Sequence, residues 1–150
     1  MKKLIYLFLG IVMVACSGDD SNESVLESAQ TVSDALITGS PWVIDRIVTD
    51  NPQQQAFWDS IVSANILTEK YFSNQTYGTG NTPKVWEVVR LGETYIIVIS
   101  WTYFGNTYAI RQAIVELTPS SLVYRKTFIT SAGGGVTDVD DKIYYLKPSN

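Results

Sequence analysis

The 150-residue sequence has no histidine and a single cysteine, Cys16. Lack of histidine removes the commonest general base and the commonest transition-metal ligand, and with them serine–histidine and cysteine–histidine catalysis. A lone cysteine excludes any disulfide within the chain, so the fold has no covalent staple. Charge is scarce as well, at 17% of residues, and acids outnumber bases 15 to 11. That net −4 argues against nucleic acid as a partner and against adsorption to anionic lipid head groups. Long apolar runs are missing except for residues 4–14, which are too few to span a bilayer as a helix.

That short run, preceded by Lys2 and Lys3 and ending at Ala15-Cys16, has the layout of an export signal with a small residue before the cut. Met13-Val14-Ala15-Cys16 resembles the lipobox of bacterial lipoproteins. The resemblance implies that Cys16 is diacylated by chains such as palmitate, that cleavage precedes it, and that its new amino group is acylated. Losing residues 1–15 takes away Lys2 and Lys3 and leaves nine bases against fifteen acids, a net −6. Membrane attachment then rests on the lipid anchor, where several acyl chains are needed because each buried methylene contributes only ~0.8 kcal/mol. Asp19 and Asp20 resemble the acidic export signal of Bacteroidota-type lipoproteins, and Ser17 is not the aspartate that retains many lipoproteins in the inner membrane. Together they imply an outer-membrane lipoprotein with the cell surface as one destination; a solvated spacer is the plainer reading of the two aspartates.

Residues 16–33 are small and polar and are expected to form a flexible tether, with one domain over 34–150. Pro41 to Val48 reads as a first strand, Asn51-Pro52 as an N-cap followed by proline at the first helical position, and 53–67 as a helix. From Tyr71 the apolar period becomes two. Strands are expected at 71–77, 84–91, 95–103, 107–117, 122–130 and 143–147, divided by turns such as Phe104-Gly105-Asn106 and Thr118-Pro119-Ser120-Ser121. A meander of about eight strands normally closes on itself, so the expected fold class is mostly β, an antiparallel up-and-down barrel with one helix after the first strand.

This order of landmarks resembles the bacterial lipocalin-like domains. The resemblance is carried by Gly39-Ser40-Pro41-Trp42, Tyr71-Phe72 leading to Thr76-Tyr77, Trp86-Glu87-Val88 before Gly92, and Tyr108-Ala109-Ile110 with Val115-Glu116-Leu117-Thr118 and Ser121-Leu122-Val123-Tyr124. It implies a lipocalin-like barrel with an internal or mouth-facing pocket. The chain departs from true lipocalins in placing Gly39 three rather than two residues before Trp42, and in having its helix early. Lys142 and Arg125 stand at positions where a basic residue could cover that tryptophan.

Few groups suggest chemistry. Glu87 and Glu116 are the main acids inside expected strands, and flanking apolar residues put both on an outward, solvated face, so no catalytic residue is assigned. Asp138, Asp140 and Asp141 cluster without the glycine turn and distal glutamate of a calcium loop, Gly133-Gly134-Gly135 lacks the lysine of a phosphate loop, and neither a metal nor a cofactor is expected. Asp59-Ser60-Ile61 resembles an O-glycosylation acceptor but falls in the expected helix. The aromatic residues remain. Tyr95, Ile97, Ile99 and Trp101 share one strand face, the bulkier set and the choice for the inside. On the next strand Tyr108 shares a face with Gln112, while Arg111 shares the other with Ala109 and Ala113, so one of Arg111 and Gln112 points inward. Candidate ligand contacts are therefore Trp101, Tyr95, Tyr108 and Arg111.

Two functions follow from these features. The first is a non-enzymatic, lipid-anchored binder of a small apolar or amphipathic ligand. The second is an anchored interaction module with a packed interior that docks to an envelope or extracellular protein. An internal pocket of ~300–1,000 Å³ favours the first, and a filled interior with an exposed apolar patch the second.

Overall fold

A computed structural model describes residues 28–64, 67–78, 83–130 and 137–149. Cys16, Asp19, Asp20 and Gly133-Gly134-Gly135 lie outside the described residues, as do the side chains of Asp138, Asp140 and Asp141. The elements run α1 (Ala29–Thr38), β1 (Trp42–Val48), α2 (Pro52–Ser63), β2 (Thr68–Glu69), β3 (Val85–Leu91), β4 (Thr94–Tyr103), β5 (Asn106–Thr118), β6 (Ser121–Thr130) and β7 (Thr137–Pro148).

All strands join one antiparallel, curled sheet in the order β2-β1-β7-β6-β5-β4-β3. It is mostly β, as expected, but it is a half-barrel of seven strands and not a closed barrel of eight. The strand expected at residues 71–77 is not among the seven, and the short β2 at Thr68–Glu69 joins the sheet instead. Ser73-Asn74 form a turn, Gln75 takes a positive φ of 63°, and Asn74 Oδ1 accepts from the Thr76 N–H at 3.2 Å, so local turn chemistry replaces the strand. Two isolated bridges, Tyr71 with Tyr77 and Thr76 with Val85, span the gap between the sheet edges without a continuous ladder.

Helix α2 starts as its sequence dictates, with Asn51 Oδ1 accepting from the Gln53 N–H at 3.0 Å ahead of Pro52. Trp58 and Val62 supply its packing face, whereas Phe57 is 58% exposed. Helix α1 occupies residues assigned above to the tether. Ser28 caps it through a 3.0 Å bond from the Thr31 N–H, and Val32 and Leu36, one turn apart, are both fully buried, so the folded domain extends at least to Ala29. Gly39 ends α1 where a Cβ would stand 2.2 Å from Trp42 Cζ2, and the Trp42 indole N–H donates to the Leu36 carbonyl at 2.9 Å. Glycine is required there by close approach, not by φ. Lys142 lies over Trp58 at 5.4 Å and Arg125 is exposed, so the structure gives neither the position over Trp42.

The core fills the concave side of the sheet. Tyr95, Ile97 and Ile99 point into it, as expected from their alternation, whereas Trp101, the fourth of that set, is half-buried and outside the core. On β5, Gln112 and Ile114 are inward until a bulge after Ile114 changes the phase, leaving Val115 55% exposed and Leu117 fully buried.

Candidate functional site

At the centre of the concave side lies a polar cluster drawn from separate elements. Glu69 ends β2, Tyr71 follows two residues later on the same face, Gln112 comes from β5 and Tyr124 from β6; none is more than 4% exposed. The Gln112 amide donates to Glu69 Oε1 and Oε2 at 3.2 and 3.1 Å. The Tyr124 hydroxyl donates to Glu69 Oε1. The Tyr71 hydroxyl stands 2.7 Å from Glu69 Oε2 and 2.8 Å from Gln112 Oε1, and its single proton serves one of the two. Tyr77 lies close enough to feel the Glu69 charge. No buried side-chain nitrogen or oxygen among the described residues lacks a partner.

This arrangement changes the tyrosines more than it offers a reagent. Burial first, and the Glu69 charge second, push the hydroxyls of Tyr71, Tyr77 and Tyr124 well above the usual tyrosine range. Tyr71 and Tyr124 are held as neutral hydroxyls against a carboxyl that pairs with no cation among the described residues. Tyr71 packs edge-on to Trp86 at 5.3 Å and Tyr124 stacks on Tyr144 at 5.2 Å, so aromatic walls separate the cluster from water. Its chemistry is that of a satisfied internal network tying β2 to β5 and β6.

The cluster was partly readable. Gln112 is the inward member of the Arg111/Gln112 pair, and Arg111 is exposed on the convex face opposite Val98. Arg111 therefore does not line an interior pocket: alternation gives the inward place to its neighbour. Glu69 sits in a short segment without periodicity, and its one signal in the sequence is Glu69-x-Tyr71, the spacing of one strand face. Trp101 and Tyr108 do come together, stacked with ring centroids 5.6 Å apart. Tyr95 lies six residues along β4, roughly 20 Å away, and carries Arg90 over its ring at 5.7 Å. The four expected contacts thus fall in three places and do not form one site.

Concavities lie at the surface. One of about 330 Å³ is lined by Pro83, Val85, Ser100, Trp101, Thr102 and Thr107, with Lys84 Nζ 5.2 Å from the Trp101 ring centroid. A second, of about 300 Å³, runs along β3 between Trp86, Glu87 and Val88, the loop residues Ser73 and Gln75, and one face of α1 formed by Ala29, Gln30, Ser33 and Ile37. Glu87 and Glu116 are both exposed. Among the described residues no group of three or more metal-ligating side chains converges, and no helix is long and apolar enough to cross a membrane.

No protein-family model matches this chain, and no curated protein or solved structure is significantly similar to it.

Proposed function

We propose that the chain is a non-enzymatic docking module of the cell envelope, held by lipid on Cys16 and working through its protein surface. The observation that carries this reading is the contrast between the two sides of the sheet. The concave side is occupied by fully buried side chains, among them Trp42, Tyr71, Ile97, Ile99, Leu117 and Tyr124, around the Glu69 network. The convex side of the β3–β4 hairpin instead carries Val85, Val89 and Leu91 at 51%, 36% and 66% exposure. Exposed apolar residues grouped on one edge mark an interaction surface more often than chance. Among the described residues the concave side is filled by packed side chains, which favours docking over an interior ligand, and Glu87 and Glu116 are both exposed.

A second reading keeps a small amphipathic ligand, moved to the surface cleft beside Trp101, where an aromatic face, two threonines and Lys84 converge.

A photo-crosslinking residue at Val89, compared in living cells with one at exposed Ser60 on α2, separates these readings. The docking module predicts a discrete polypeptide adduct from position 89 and none from position 60. Equal, diffuse labelling from both would refute it. The anchor is tested alongside: Cys16→Ser is expected to leave the detergent-extracted membrane fraction, and retention there at mature size would contradict lipidation.

A further inference from the structure

The sheet ends on one side at the two-residue β2 and on the other at the seven-residue β3, and only the second is long enough to pair with another chain. Which of its backbone groups are available follows from the hairpin. Leu91 pairs with Thr94 across Gly92-Glu93, with Gly92 at φ 63°, so residues 85, 87, 89 and 91 bond to β4 and residues 86, 88 and 90 turn their N–H and C=O groups the other way. The Trp86 N–H confirms the alternation by donating to the Gln75 carbonyl at 2.9 Å. There the 71–78 segment stops covering the edge. Among the described residues no backbone bond from outside the sheet reaches Val88 or Arg90.

The 300 Å³ cleft lies along this same edge, because its lining takes Trp86 and Val88 from the concave face of β3 and Glu87 from the convex one. Helix α1 forms its far wall, presenting Ile37. Among the described residues lining it, Glu87 is the one that carries a charge. Arg90 is turned toward the hairpin end, its Nε donating to the Gly92 carbonyl at 3.0 Å.

We infer that this groove takes an extended polypeptide segment as an eighth strand, beside Val88 and Arg90, with alternating apolar and basic side chains. Successive side chains of an added strand point to opposite faces, so one set meets Ile37 and Val88 while the other meets Glu87. The inference rests on the docking-module reading and specifies its partner. A basic segment is also what a chain with fifteen acids against eleven bases attracts.

The test uses the full-length protein and two capped eight-residue peptides, one alternating valine with lysine and the other valine with glutamate, followed by fluorescence anisotropy and by amide hydrogen exchange. The lysine peptide is expected to bind about three- to fivefold more tightly than the glutamate peptide, the range of one exposed ion pair, and Glu87→Lys should reverse that order. Bound peptide should slow exchange at the Val88 and Arg90 amides specifically. Val88→Pro should weaken binding by at least about tenfold while leaving the fold intact, since proline is tolerated where an edge-strand N–H faces outward. Binding that leaves both amides unprotected would overturn the inference, as would protection of both that grows with protein concentration and needs no peptide, the mark of a second copy on this edge. Failure of the lysine peptide to bind would overturn it too, while a polypeptide adduct from position 89 would leave the broader docking reading standing.

Discussion

Glu69 shows how much depends on single donors. Its carboxyl is buried with no cation paired to it among the described residues, and the surrounding hydroxyls and the Gln112 amide take the place of water. Tyr124→Phe removes one of those donors, and a loss of about 1–3 kcal/mol is expected in urea melts, the range for a buried polar group left short of a partner. The same geometry sets an alkaline limit. Tyr71 and Tyr124 have folded pKa values raised above the unfolded value near 10, so their contribution is complete below that pH and is lost as pH rises beyond it. Stability should fall above pH ~10 by about 1.4 kcal/mol per pH unit for each such hydroxyl. Tyrosinate absorbance should then show these residues ionising only as the chain unfolds, and their free titration in the native state would contradict the buried network.

Among the elements, those with strict periodicity were legible. β4 is readable because β-branched and aromatic residues run from Tyr95 to Ile99 with period two continuing to Trp101, and α2 because Asn51-Pro52 announces its first turn. Irregular segments were not. Tyr71 to Tyr77 has the aromatic and β-branched content of a strand, yet Asn74 and Gln75 turn the chain back, and a period-two reading does not weigh one Asx turn against six strand-like neighbours. α1 was hidden by its polar surroundings: Gln30, Thr31, Ser33 and Asp34 look like spacer, and only the Ser28 cap with Val32 and Leu36 at helical spacing marks it. Since Val32 is fully buried, a variant beginning at Ser28 is expected to keep the stability of the longer chain, while one beginning at Asp34 should lose about 2–4 kcal/mol from one buried aliphatic side chain and one helix cap. Equal melting of the two would mean that α1 adds nothing to the core.

For the whole molecule, one lipid site is expected from Met13-Val14-Ala15-Cys16, and seven strands curl without closing. Among the described residues the half-barrel has a packed concave side and leaves the β3 edge without a partner strand at Val88 and Arg90. What the sequence did not disclose was how full the inside is, because alternation tells which residues point inward and not how much space remains between them. That separates the docking module from a carrier, and it makes a retained small molecule the decisive observation. Native mass spectrometry of the protein purified from its own host tests this most directly. The account predicts the mass of the polypeptide with its acyl anchor and nothing further; a stoichiometric small molecule retained under native conditions and released on denaturation would contradict it.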